Sequence, residues 1–291
     1  MLRWLYLISL VFIVGACAFN KIYLFPFELT EDSTFTQYDA EINDTLRLRF
    51  NETADPEFYV TDEQYDPGYE IRNTFFLSED RNLNAWVMTP DSSNGVSLLF
   101  FHGNAGHLVY QYQLVEPYLE RGYKVFLFDY SDFGFSEGKA TRKNVLEDGR
   151  AALRFMKAQP EFKGDKILIY GQSLGGHLAA VLGTENQDQI DGVVVEGGFS
   201  SHRDIAADRV PILGRIFVKE MYNGKKVISD LKKPLLVVHS INDGTVPYAQ
   251  GAEMYRNATA PKSFYAIDSC HICGPLYYAD SISVKMQEML K

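Results

Sequence analysis

The amino-acid sequence predicts an α/β fold, a mostly parallel central sheet of about eight strands flanked by helices. Three observations predict it. From Ile71 onward, short runs recur that are apolar almost throughout, as suits strands buried on both faces. Helical-looking stretches of ten or more residues alternate with them. The 291 residues suffice for one large domain with a full core.

Taken in chain order, residues 1–20 stand apart. Trp4 to Phe19 contains no charged side chain and follows Arg3, so it reads as a targeting or anchoring segment. The 16-residue run falls short of the ~20 residues a spanning helix needs. Val14-Gly15-Ala16-Cys17 resembles a bacterial lipobox, which implies cleavage before Cys17, acylation of its thiol and a membrane-associated, extracytoplasmic lipoprotein. A single-pass signal anchor and an ordinary signal peptide are the competing readings.

Residues 21–70 read as an acidic N-terminal extension. Positions 31–70 hold 12 Asp/Glu against Arg47 and Arg49, which accounts for the whole formal charge of -10. A solvated surface segment is expected there. The balanced remainder excludes a nucleic-acid partner, which would need a basic face.

The catalytic domain is expected over 71–291. Ile71–Leu77 and Leu83–Met88 read as a hairpin around Ser78-Glu79-Asp80-Arg81. Buried strands follow at 96–101, 125–130, 167–170, 193–195, 235–238 and 263–267, with helices near 108–121, 142–158, 175–185, 247–258 and 276–290. Residues 200–233 break the rhythm and read as a small lid over the C-terminal edge of the sheet, where such folds place ligands.

Gly171-Gln172-Ser173-Leu174-Gly175 joins a buried strand to a small-residue helix. A strand-to-helix turn this tight needs glycine two before and two after the serine, and it lifts the hydroxyl clear, so Ser173 is the expected nucleophile. Of six histidines, His271 lies just beyond the last strand, where a general base belongs. Asp243, in the turn after 235–238, is the expected acid that orients it; Glu196 is the competitor, and Asp268 is near only in sequence. The loop His102-Gly103-Asn104-Ala105-Gly106 ends a strand, and the backbone N–H groups of Asn104 and Leu174 are the expected oxyanion donors. Cys270 and Cys273 flank His271; two cysteines alone cannot build a zinc site, and both a local disulfide and two packed thiols stay open.

Together Phe101-His102-Gly103-Asn104-Ala105-Gly106, Asp129 to Gly138, Gly171 to Gly176, Asn242 to Pro247 and His271 resemble α/β-hydrolases, especially the membrane-anchored, small-lid branch of the abhydrolase domain-containing proteins. The resemblance covers about residues 71–290. It implies hydrolysis of an ester, thioester or amide through an acyl-serine intermediate, on a small-molecule or lipid acyl substrate, with no metal or other cofactor. Peptidase and acyltransferase chemistry share the constellation, and a non-catalytic binding protein is the rival from another class. Relatives usually carry Arg and Gly where Ser131 and Asp132 stand here.

Overall fold

A computed structural model of the protein describes residues 24–29, 33–39 and 44–291. The anchoring segment expected over 1–20, with Cys17, lies outside the described residues. Among those described, no helix is long and apolar enough to cross a membrane.

The described chain opens with β1 (Phe25–Pro26). An antiparallel meander of β2 (Ser33–Asp39), β3 (Asp44–Phe50), β4 (Glu57–Val60) and β5 (Glu63–Gln64) follows. The acidic extension thus carries a folded element where the charge pattern predicts only a solvated segment. Along β3 every second residue is apolar, and Leu46, Leu48 and Phe50 are buried. Between them Arg47 pairs with Asp62 at 3.0 Å and Arg49 lies 4.3 Å over the Tyr59 ring. The charges therefore line the outer face. The inner face packs Phe58 against Tyr69 and Tyr112, with ring centroids 5.9 and 5.7 Å away.

The central sheet contains β6 (Tyr69–Ser78), β7 (Arg81–Pro90), β8 (Val96–Phe101), β10 (Lys124–Phe128), β11 (Lys166–Gln172), β12 (Gly192–Glu196), β13 (Leu235–Ser240) and β14 (Lys262–Ile267); the short β9 (Ala105–Gly106) pairs with β1 outside it. The strand order is β14-β13-β12-β11-β8-β10-β7-β6. In this sheet β7 runs antiparallel to both neighbours and the remaining pairs are parallel. The expected hairpin forms, with Glu79 and Asp80 as its two-residue turn and Glu79 in the left-handed region at φ 56°.

Eight helices complete the described chain: α1 (Leu108–Leu119), α2 (Arg142–Ala158), α3 (Leu174–Glu185), α4 (His202–Arg209), α5 (Pro211–Phe217), α6 (Gly224–Val227), α7 (Tyr248–Asn257) and α8 (Gly274–Met289). Strand β8 shows why its run is apolar throughout. Leu99 and Phe101 enter the core under α2 and α3, while Leu98 and Phe100 enter the opposite core with Tyr118 of α1 and Met286 of α8. The lid is α4 to α6, and Ser201 caps α4 by accepting from the Asp204 N–H at 3.1 Å.

Because the meander shares a core with the main sheet, Phe58→Ala is expected to destabilise the whole domain by about 3–5 kcal/mol. A urea titration reads this as a lower midpoint. An unchanged midpoint would show the meander to be a separable appendage.

Candidate active site

Strand β11 ends at Gln172 and α3 begins at Leu174, so Ser173 makes the turn by itself. It does so at φ 55°, ψ -113°, a strained conformation for a residue with a side chain. The flanking glycines are sterically required. A β-carbon at Gly171 would stand 2.0 Å from the Gly175 carbonyl oxygen, and one at Gly175 would stand 2.0 Å from that of Phe101. The second contact also draws α3 against the end of β8, where the loop 102–106 departs.

That loop reaches the serine. A β-carbon at Gly103 would lie 3.8 Å from Ser173 Cβ. Asn104, Ser173 and Leu174 line one cavity of about 320 Å³ with Phe25, Phe199, Ile205, Arg209, Thr245 and Val246. A cleft of about 470 Å³ at the other end of the strands, between Pro234, Lys262 and Met289, lies away from this chemistry. The loop is braced from outside by β1, whose Phe25 N–H donates to the Asn104 carbonyl at 2.8 Å.

Asp243 and His271 meet. His271 Nδ1 lies 2.7 Å from Asp243 Oδ2, while Oδ1 accepts from the Thr245 and Val246 N–H groups at 2.8 Å each. Burial pushes the Asp243 carboxyl up. The His271 hydrogen bond and charge, with the two amides, outweigh burial and hold it below the ordinary carboxylate range.

Glu196, the competing acid, does something else. Its Oε1 accepts from the Gly274 N–H at 2.8 Å; its Oε2 accepts from Tyr170 Oη at 2.6 Å and Gln172 Nε2 at 2.8 Å. Burial raises its carboxyl above the ordinary range despite these donors. Gln172 also reaches the Ile272 carbonyl at 3.3 Å. Glu196 therefore ties the histidine loop to the end of β12. The strand-to-helix turn at Ser173, the elbow, is tied there too, since Ser173 N–H donates to the Glu196 carbonyl at 2.9 Å. At the next residue, a β-carbon on Gly197 would stand 3.2 Å from His271 Cε1. Elbow and histidine thus flank the same two residues.

The histidine loop is closed by a Cys270–Cys273 disulfide, the first of the two alternatives left open by the sequence. Within it, Ile272 sits at φ 53°, which a β-branched side chain rarely adopts. Asp268 turns away and accepts from Asn242 Nδ2 at 2.6 Å.

The sequence reasoning missed Asp129. It is fully buried against the loop 102–106, its Oδ1 accepting from the Leu108 N–H at 2.8 Å and standing 3.6 Å from His102 Nε2. Burial pushes its carboxyl well above the ordinary range. The neighbouring departure from the related pattern is accommodated locally. Asp132 occupies the left-handed region at φ 77°, a conformation that favours glycine, and its carboxylate accepts from the Ala140 N–H at 2.9 Å. Ser131 joins Arg81 at 2.9 Å and Asp148 at 2.8 Å. Among the described residues no group of three or more His, Cys, Asp and Glu is placed to hold a metal ion.

Known proteins share this architecture. The family model for the alpha/beta hydrolase fold matches residues 96–217. An uncharacterised protein of Escherichia coli O157:H7, YfhR, is 29% identical over 74% of this chain and 78% of its own. The alpha/beta hydrolase domain-containing protein WAV2 of Arabidopsis thaliana is 27% identical over 63% and 65%. An uncharacterised membrane protein of Saccharomyces cerevisiae, YNL320W, is 26% identical over 65% and 68%. Among solved structures, the esterase Pf2001 of Pyrococcus furiosus superposes with a TM-score of 0.67 at 17% identity, over 92% of this chain and 97% of that one.

The other histidines are kept neutral by burial, which holds His102 and His177 at about 3 and His107 at about 4. In the unfolded chain each returns to its ordinary value near 6.5. Between those limits the unfolded state binds protons that the folded state refuses, so the stability they contribute is complete above pH ~6.5 and is lost as pH falls toward ~3. His177→Asn should therefore reduce the slope of stability against pH between those limits by one proton's worth, about 1.4 kcal/mol per pH unit. Urea titrations across that window read the slope independently of any overall destabilisation. An unchanged slope would show that His177 takes up its proton in the folded state.

Proposed function

On the premise that the chain carries the α/β-hydrolase fold, we propose that it is a serine hydrolase cleaving a carboxylic ester or related acyl bond. The observation that carries this reading is the Asp243–His271 pair, 2.7 Å apart, with its carboxylate held ionised at the same end of the sheet as the strained Ser173 turn. His271 Nδ1–H donates to Asp243, which leaves Nε2 as the proton acceptor. Ser173 Oγ attacks the acyl carbon as His271 takes its proton. The oxyanion accepts from the N–H groups of Asn104 and Leu174, the latter at the positive end of α3. Collapse expels the alcohol, protonated by His271, and leaves an acyl-serine. Water activated by His271 then releases the acid and restores Ser173.

The apolar lining from Phe25, Phe199, Ile205 and Val246 supports an acyl chain as the occupant of the cavity. That the superposed Pyrococcus protein is an esterase agrees with that class of substrate. For location, the charge-free run of 4–19 and the membrane-protein name of the yeast relative support anchoring through the N-terminus, with Cys17 as the lipidated residue. Mass spectrometry of the protein from its native source should find a mature N-terminus at acylated Cys17; an intact, unacylated Met1 would replace lipidation with a signal anchor.

Ser173→Ala should abolish both turnover and labelling by a fluorophosphonate probe while leaving the unfolding transition in place. Labelling that persists would overturn the nucleophile. Asp243→Asn should lower kcat by roughly 10³–10⁴-fold, because an amide favours the wrong tautomer of His271. Glu196→Gln should cost far less, since the amide oxygen can still accept from Gly274; a larger loss from Glu196→Gln would transfer the orienting role to it.

A further inference from the structure

The start of the described chain and the lid meet at the mouth of the candidate site. Phe25 lines the same cavity as Ser173, and across it α4 contributes Ile205 and Arg209. Phe25 and Phe27 nevertheless expose 55% and 54% of their surface. Helix α5 starts two residues after Arg209 and lies against α4, a β-carbon at Gly214 standing 2.4 Å from the Ala206 carbonyl oxygen. Its outer side presents Ile212 and Ile216, one turn apart and 73% and 64% exposed, with Leu213 beside them. Single exposed apolar residues are ordinary on any protein. Five on β1 and on the helix packed against α4, the two elements that reach this cavity, are not.

Charge points the same way. The chain carries -10 overall, yet residues 200–227, before the chain returns to the opposite end of the strands at Pro234, hold six Lys/Arg against three Asp/Glu, a net of +3. The three acids are engaged within the fold: Asp204 with Lys225 and Arg215, Asp208 with Gln250, and Glu220 with the His202 N–H. Arg215, next to Ile216 in the chain, keeps 66% of its side chain exposed. A basic, apolar face suits a surface of anionic lipid headgroups over acyl chains. It does not suit a second copy of itself, because two such faces would repel.

The covalent connection completes the case. The charge-free run ends at Phe19, six residues before Phe25. Six residues span at most about 20 Å. A bilayer that holds that run is therefore within about 20 Å of the site mouth, and one that holds only an acylated Cys17, eight residues before Phe25, within about 28 Å.

We propose that Phe25, Phe27 and the Ile212–Leu213–Ile216 face of the lid form one bilayer-docking surface, through which the site takes long-chain acyl esters directly from an anionic membrane. The choice of ester rests on the serine-hydrolase reading; the docking does not. The test uses the full chain in vesicles of phosphatidylcholine with phosphatidylglycerol, some carrying lipids brominated on the acyl chain. Ile216→Trp should show quenching by the brominated lipid beyond that of the wild type, whose Trp4 and Trp86 give the background. Arg215→Glu in that variant should reduce the added quenching, and pure phosphatidylcholine vesicles should do the same. Ile212→Ser/Ile216→Ser should leave turnover of a water-soluble short-chain ester unchanged and lower that of a vesicle-borne long-chain ester by about tenfold or more.

No added quenching from Ile216→Trp, or equal loss on both esters, would overturn the docking surface. A concentration-dependent dimer abolished by the double substitution would overturn it too and make the face a self-association site. Quenching in a chain that hydrolyses neither ester would keep the docking and sink the hydrolase reading.

Discussion

The absence of a β-carbon at Gly175 sets the rest of the site. With hydrogen there, the first turn of α3 closes onto the end of β8, at a distance where any larger residue would meet the Phe101 carbonyl. That closure brings the expected nucleophile, the N-terminus of α3 and the loop 102–106 to one point. It also obliges Ser173 to turn the chain at φ 55°. Such strain persists only where the surroundings over-determine it. Here β11 is buried on both faces and hydrogen-bonded between β8 and β12, and Ser173 N–H is held by the Glu196 carbonyl, so relaxing the turn would break a strand register or leave a buried donor unpaired.

The histidine has no such strand to hold it. It sits in a loop after β14, and its order comes from hydrogen bonds and a covalent closure. Glu196 takes the Gly274 N–H, Gln172 takes the Ile272 carbonyl, and the disulfide joins the residues on either side. Both anchors start at the ends of β11 and β12, next to the elbow. The serine and the histidine are thus positioned from a common base although they stand 98 residues apart.

How much of this was legible depends on whether the signal was local. Continuous apolar runs such as Leu98 to Phe101 announce a doubly buried strand wherever they occur, and the parallel order follows from the alternation with helices. Gly171, Ser173 and Gly175 announce a tight turn because steric demand is written in adjacent residues. Asp243, in the turn after one buried strand, was preferred to Glu196, at the end of the one before, on chain order, but the partners that hold Glu196, namely Tyr170, Gln172 and Gly274, were not legible because they come together only in the fold. Asp129 was legible only as the start of the related segment 129–138; its burial comes from a loop closed over it. The meander was a different failure. The alternation of Leu46, Leu48 and Phe50 was present, but counting the acids of 31–70 as a block hid a period of two.

The distribution of protons follows from burial more than from residue type. His102, His107 and His177 are pushed low because an imidazolium there would lose its hydration with no carboxylate in hydrogen-bonding range to replace it. His271 keeps a solvent-facing edge and a close carboxylate.

The same reasoning links the anchor to the chemistry through the backbone. Phe25 N–H donates to the carbonyl of Asn104, and the amide of Asn104 is the expected oxyanion donor. In the proposed reading, the short stretch from the anchor to Phe25 both limits how far the site can stand from the membrane and braces the loop that would hold the developing charge. A force that pulled β1 away would act on Asn104 before it reached Ser173, whose turn is secured from the other side by β11 and α3.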